Sequence, residues 1–142
     1  MGPGLTFNRG GGGHYLWFTG AEHESLDVSP GVYLVPWRVG AGTAGPRRAL
    51  RDSLHSATRP MLAALGGATI AGVIARTRAD STHRVLALRA VRPDGALSPW
   101  QFLGTGVRSA ALAGAGAGHA YAAWIEEPGD ESRVRLVRLT PR

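Results

Sequence analysis

An all-β fold is predicted for this chain by its short apolar runs, by the turn residues between them and by an internal repeat. Glycine accounts for 21 of the 142 residues and proline for 9. Because the glycines have no collagen-like period, this abundance fits many short strands joined by tight turns. Hydrophobic residues make up 44% of the chain and charged residues 18%, which argues against a disordered chain. The length suits one domain with a core of its own.

The internal repeat emerges when the chain is aligned with itself at an offset of 49 residues, without a gap. Eight positions are then identical among the 34 that run from Arg59 to Arg92. The identical pairs are Arg59 and Arg108, Ala64 and Ala113, Gly67 and Gly116, Ala68 and Ala117, Ala71 and Ala120, Arg84 and Arg133, Val85 and Val134, and Arg89 and Arg138. The copies also share the order of their apolar runs and turn clusters, and this shared order is the stronger argument for a repeat.

The middle copy contains four short apolar runs, each bounded by turn residues. The runs are residues 60–65, 70–77, 85–91 and 98–103. Gly66-Gly67 follows the first run and Pro93-Asp94-Gly95 follows the third, and Asp-Gly between two such runs is a strong hairpin signal. The apolar spacing of three and four that a helix needs is not sustained for ten residues. Four antiparallel strands are therefore predicted for this copy.

The other two copies follow the same order. Strands are predicted at residues 109–113, 120–125 and 134–140 of the third copy, and at residues 5–7, around Tyr15 and Phe18, and at residues 32–39 of the first. Tandem four-stranded units with a period near fifty residues are typical of β-propeller blades. We therefore predict a β-propeller segment of about three four-stranded blades, over residues 1–56, 57–105 and 106–142, in which the last blade lacks its outer strand.

Three blades are fewer than the four to eight that close a propeller ring. An open segment exposes the apolar faces of its end blades and leaves one strand edge unpaired, and both features promote association. We expect further blades to complete the ring, either from a longer chain or from further copies of this one. The longer chain is favoured, because a chain that assembles with itself is expected to contain whole blades.

Charge and composition exclude several classes of partner. The net charge is +6 and all 16 basic residues are arginine, but they are spread along the chain rather than clustered, so a nucleic acid is not expected. The charge-free stretch at residues 60–75 is too short to span a membrane as a helix, so no membrane partner is expected. The absence of cysteine excludes disulfides and thiolate metal sites. No metal or other cofactor is predicted, and the cellular compartment stays open.

The segment from Arg92 to Gly104, RPDGALSPWQFLG, resembles the hairpin between the third and fourth strands of sialidase-like and bacterial lectin-like propellers. Asp94, Gly95, Ser98 and Trp100 follow the order of the sialidase Asp-box, although Asp and Gly are adjacent here and the leading Ser is absent. The same residues are similar to the Asp-Gly-x-x-Ser-x-Trp turns of fucose-binding-type lectins. In both families this turn is structural, so the resemblance implies a propeller with a carbohydrate-related role and does not mark a catalytic residue.

Three residues are predicted to bind a ligand. In propellers the loops between the second and third strands, and between blades, surround the central axis on one face, where ligands usually bind; these loops correspond to residues 21–31, 78–84 and 126–132. Arg59 and Arg108 are expected at the start of the innermost strands of successive blades, where two guanidinium groups could clamp the carboxylate of an acidic sugar. Trp100 is the aromatic residue best placed to stack on a sugar. The alternative interpretation is that Arg59 and Arg108 are solvent-facing loop residues and that Trp100 packs between blades.

The leading functional hypothesis is non-catalytic recognition of a carbohydrate, with Arg59, Arg108 and Trp100 as binding residues and with no catalytic or metal-binding residue. One alternative is a sialidase-like glycoside hydrolase in which the two arginines hold the acid group of the substrate. The other is a structural or protein-interaction propeller with no small ligand. These hypotheses rest on analogy at the level of the fold, and one fold serves many functions, so whether the chain is an enzyme stays open.

Overall fold

The computed structural model describes residues 4–7, 12–19, 31–38, 40, 44–50, 54–116 and 118–141. Within these ranges the chain forms strands and turns and no helix, as the all-β prediction requires. The described strands are β1 (Gly4–Phe7), β2 (Gly12–Thr19), β3 (Gly31–Arg38), β4 (Arg48–Ala49), β5 (Leu54–Leu65), β6 (Ala68–Thr77), β7 (Val85–Val91), β8 (Gln101–Leu103), β9 (Val107–Gly114), β10 (Ala120–Glu126) and β11 (Arg133–Leu139). This part of the chain contains no helix long and apolar enough to cross a membrane.

The strands form three antiparallel sheets, each of which follows the order of the chain. Strands β1 to β4 form the first sheet, β5 to β8 the second and β9 to β11 the third. We call these sheets blade 1, blade 2 and blade 3. The third sheet has three strands within the described residues, which matches the prediction that the last blade lacks its outer strand.

The blades pack through their first strands and through both faces of the middle sheet. Strand β5 contacts both β1 and β9, so the first strands of the three blades lie side by side. One core cluster joins blades 1 and 2; it includes Leu16, Val32 and Leu34 from blade 1 and Ala71, Val73 and Ala87 from blade 2. A second cluster joins blades 2 and 3; it includes Ile70, Ile74 and Leu88 from blade 2 and Ala122 and Trp124 from blade 3. Burial on both faces explains why strand β6 is almost continuously apolar.

Small side chains allow the innermost strands to approach each other closely. A Cβ atom on Gly114 of β9 would lie 2.8 Å from the carbonyl oxygen of Ala64 on β5. Since that neighbour is backbone, it could give way only if a strand moved. The glycine therefore sets the distance between blades 2 and 3 at their inner edges.

The Asp-Gly segment forms the predicted turn between β7 and β8. The carboxylate of Asp94 accepts a hydrogen bond from the amide of Ala96 at 2.9 Å, and the hydroxyl oxygen of Ser98 accepts one from the amide of Ala90 at 2.8 Å. The fourth strand is shorter than the predicted 98–103 and begins at Gln101. Pro99 has no amide hydrogen to donate to a ladder, which is a physical reason for the late start.

The offset of 49 residues does not hold without a gap through all strands. In blade 2, Ala71 pairs with Arg89, whereas in blade 3 Ala120 pairs with Leu139 and Arg138 pairs with Tyr121. A shift of one residue moves a side chain to the other face of a sheet. Arg89 therefore lies on the face of blade 2 that is turned towards blade 1, while its repeat partner Arg138 lies on the outer face of blade 3.

Candidate functional site

A cleft of about 400 Å³ opens between blades 1 and 2. It lies at the end of the sheets where β5 turns into β6 and where β7 ends. Its lining includes His14, Trp37 and Arg38 from blade 1 and Thr69, Arg92 and Pro93 from blade 2. We call this feature the inter-blade cleft. Its volume falls within the roughly 300–1,000 Å³ of small-molecule sites.

A histidine and a threonine meet across the inter-blade cleft. Nδ1 of His14 lies 3.1 Å from the hydroxyl oxygen of Thr69. His14 lies on the face of β2 that also carries the fully buried Leu16, because side chains two residues apart share a face of a strand. Burial lowers the pKa of His14 below its ordinary value of 6.5, so the imidazole is uncharged at neutral pH. An uncharged imidazole and a hydroxyl together offer both a donor and an acceptor of hydrogen bonds.

Two arginines supply the only charged side chains among the described residues that line the cleft. Arg38 is the last residue of β3 in blade 1, and Arg92 follows the last residue of β7 in blade 2. Both side chains are exposed. Trp37, which is 38% exposed, borders the same cleft. The inter-blade cleft is therefore positively charged, with an aromatic residue at its border.

Arg108 lies at the opposite end of the sheets, on the face where ligand binding was predicted. It is the second residue of β9, and its guanidinium donates a hydrogen bond to the carboxylate of Glu127 at 2.9 Å. Glu127 also accepts a hydrogen bond from the hydroxyl of Ser132. The bonds from Arg108 and Ser132 hold the pKa of Glu127 below its usual range. The charge of Arg108 is thus balanced by a carboxylate within this chain.

Arg59 does not lie at the start of its strand, and this part of the prediction is wrong. Strand β5 begins at Leu54, because the polar residues before Arg59 pair with β6 through a ladder that is irregular between His55 and Met61. The backbone of Arg59 has a φ of 52°, a left-handed conformation that is rare for residues other than glycine. Arg59 and Arg108 nevertheless lie on neighbouring innermost strands, β5 and β9.

Trp100 lies just before β8 and packs against the core cluster between blades 1 and 2. The guanidinium carbon of Arg89 lies 4.8 Å from the centroid of its ring, so one face of the indole is covered by a cation. Its Nε1 atom is buried and has no hydrogen-bond partner within the described structure. These contacts hold Trp100 between blades 1 and 2.

Among the residues that the structure describes, three carboxyl groups have a displaced pKa, and all three are lowered. Hydrogen bonds to Asp80, first from the side chain of His83 and then from the amides of Thr82 and His83, lower its pKa to about 2. Glu126 accepts hydrogen bonds from Nε of Arg135 at 2.8 Å and from Nε1 of Trp124 at 3.1 Å, and these lower its pKa. A general acid in a glycosidase needs a raised pKa. Asp80, Glu126 and Glu127 are therefore suited to ion pairing.

The described ranges contain no group of three or more His, Asp or Glu side chains that could hold a metal ion. Of the three loops on the predicted ligand face, residues 21–30 lie outside the described structure. The residues of the inter-blade cleft were not predicted from the sequence. They come from strand ends that are far apart in the chain and share no motif, so no local signal marks them.

Comparison with known proteins supports the fold. No protein-family model matches the sequence, and no curated protein matches it significantly. Among solved structures, a bifunctional GH43-CE protein from Bacteroides eggerthii superposes with a TM-score of 0.58 at 14% identity, over 99% of this chain and 18% of that chain. GH43 is a five-bladed β-propeller. The chain thus spans less than a fifth of that protein, and at this identity the likeness shows the fold alone: the chain is a partial β-propeller, as predicted.

Proposed function

We propose that this chain is a non-catalytic recognition module that binds carbohydrate in the inter-blade cleft. The observation that carries this proposal is the set of groups around one cleft of about 400 Å³. The imidazole of His14 and the hydroxyl of Thr69 offer hydrogen bonds to sugar hydroxyls. Trp37 borders the cleft, and an indole presents an apolar surface suited to the C–H face of a sugar ring.

The state of the carboxyl groups supports recognition rather than hydrolysis. Glycoside hydrolysis uses one carboxylic acid that donates a proton and a second carboxylate across the scissile bond. Asp80, Glu126 and Glu127 have lowered pKa values, and no Asp or Glu is among the described residues that line the cleft. The likeness to a GH43-CE protein supports a carbohydrate-related role only as an analogy between folds.

A glycan array probed with the whole chain tests this proposal. We expect the chain to bind glycans without turnover, and we expect Trp37→Ala to weaken binding by about tenfold or more, in line with the loss of one stacking contact. Tyr121→Ala is the matched control, because Tyr121 is exposed to a similar extent, 36% against 38%, but lies on blade 3. Circular dichroism would establish that both variants keep the fold. Absence of glycan binding by the parent chain, or equal losses in both variants, would refute the proposal.

A second candidate is the predicted clamp of Arg59 and Arg108 on the carboxylate of an acidic sugar. The left-handed backbone of Arg59 favours it, because strained backbone in folded proteins clusters at ligand-binding positions. The adjacency of β5 and β9 also favours it. If this clamp is the site, the double variant Arg59→Gln, Arg108→Gln loses binding of acidic sugars while Trp37→Ala keeps it. Release of a fluorogenic leaving group from a sialoside would instead favour the sialidase-like alternative. Absence of both glycan binding and fluorogenic release would favour a structural or protein-interaction propeller.

A further inference from the structure

We infer that the ligand of the inter-blade cleft is an acidic sugar whose carboxylate is held between Arg38 and Arg92. This inference rests on the proposed function and adds the charge of the ligand to it. The two arginines approach the cleft from different blades, since Arg38 ends β3 of blade 1 and Arg92 follows β7 of blade 2. The cleft is therefore bordered by one arginine from each blade.

These two guanidinium groups keep their hydrogen-bonding capacity, unlike several other arginines of the described residues. Within the described structure, neither Arg38 nor Arg92 forms a side-chain hydrogen bond or ion pair. Six other arginines do: Arg48 bonds to the carbonyl of Gly95, Arg84 to Thr58, Arg89 to the carbonyl of Ser98, Arg108 to Glu127, Arg133 to Glu131 and Arg135 to Glu126. The cleft thus holds two cations without a counter-ion from the described residues.

The chemistry of the cleft favours a carboxylate on a sugar. Guanidinium groups bind carboxylates through two parallel N–H···O bonds, with a planar geometry that a neutral hydroxyl cannot match. Since His14 is uncharged at neutral pH, it adds hydrogen bonding for ring hydroxyls without adding charge. A polynucleotide would need an extended basic surface, whereas this site has two cations around about 400 Å³. A small acidic sugar unit fits both the size and the charge.

The test compares acidic oligosaccharides with their own methyl esters, which keep the shape and remove the charge. The panel contains oligosaccharides of glucuronate, galacturonate and sialic acid, each with its ester and with a sulfated neutral analogue. We expect at least one acid to bind about tenfold or more tightly than its ester, with an affinity that falls as salt rises. Arg38→Gln and Arg92→Gln should each abolish this preference. Arg138→Gln, which removes the same charge from blade 3, should keep it.

Each outcome decides a separate claim. Equal affinity for acids and esters, with binding still lost in Trp37→Ala, overturns the acidic ligand and leaves the proposed carbohydrate function standing. Tighter binding of the sulfated analogue than of every acid overturns the carboxylate assignment. An acid preference that survives in Arg38→Gln and Arg92→Gln but is lost in the Arg59→Gln, Arg108→Gln double variant overturns the cleft as the site of the acid. Absence of binding to every glycan refutes the proposed function itself.

Discussion

His14 of blade 1 and Thr69 of blade 2, which both line the inter-blade cleft, meet with 3.1 Å between Nδ1 and the hydroxyl oxygen. The contact joins two sheets whose cores otherwise meet through apolar side chains. Because burial disfavours the charged imidazole, the same residue links the stability of this blade contact to pH.

The free energy of unfolding should fall as the solution is acidified below the ordinary histidine pKa. His14 has a lower pKa in the folded chain than the 6.5 of the unfolded chain, so the unfolded chain binds the proton more readily. Its contribution is present above pH 6.5 and is lost as pH falls through the folded-state pKa. Urea midpoints measured at about pH 7.5 and about pH 5.5 should drop more in the parent than in His14→Gln. Identical drops in both proteins would contradict this assignment.

Gly104→Ala should destabilise the chain by about 3 kcal/mol. Gly104 has a φ of 72°, and a Cβ there would lie 2.6 Å from Nε1 of Trp124 and 2.8 Å from Cγ2 of Val107. The matched control is Gly129→Ala, at a φ of 70° with no atom within 4 Å, which should cost only about 1 kcal/mol for the backbone. Chemical denaturation measures the free energy of unfolding of both variants. Equal losses would show that the contact of the added Cβ atom with Trp124 does not destabilise the chain.

Trp100→Phe should change stability by less than about 1 kcal/mol, whereas Trp100→Ala should cost about 3 kcal/mol. Phenylalanine keeps a ring beneath Arg89 and removes the buried Nε1, which has no partner within the described structure. Alanine removes the packing between blades as well. A loss in Trp100→Phe as large as that in Trp100→Ala would show that Nε1 is bound by a group such as water or a ligand.

Leu136→Lys should reduce self-association of the chain. Leu136 and Val134 are 69% and 77% exposed on β11, the last described strand of blade 3, and exposed apolar side chains of this kind promote association. Light scattering over a concentration series should show a mass above the monomer for the parent and a lower mass for Leu136→Lys. Thr140→Lys adds the same charge beyond the strand and should behave like the parent. A parent that is monomeric at every concentration would refute the expected association.

The extent of individual strands was predictable where the signal is local. Strand β7 has the predicted bounds of 85–91 because an apolar run and an Asp-Gly turn define it without reference to other strands. Strand β5 begins before the predicted residue 60, since its first residues become strand only by pairing with β6. This dependence on pairing with β6 also explains why Arg59 was wrongly predicted at the start of a strand.

The placement of functional side chains was less predictable than the strands. Trp100 was the aromatic residue predicted to stack on a sugar, with packing between blades as the alternative, and its ring is half-buried between blades under Arg89. Which face a side chain occupies depends on register, as the opposite faces of Arg89 and Arg138 show. Register is decided by pairing between strands, and an ungapped repeat alignment does not contain it.

The amino-acid sequence by itself determined the all-β class and the four-stranded repeat, because apolar runs and turn residues act over a few neighbouring residues. Tertiary structure alone decided the inter-blade cleft, which exists only once the ends of β2 and β3 lie against the turn from β5 to β6. His14, Arg38, Thr69 and Arg92 are far apart in the chain and become one site through the packing of blade 1 on blade 2. That packing is driven by buried apolar area, which is non-directional and leaves no motif in the sequence.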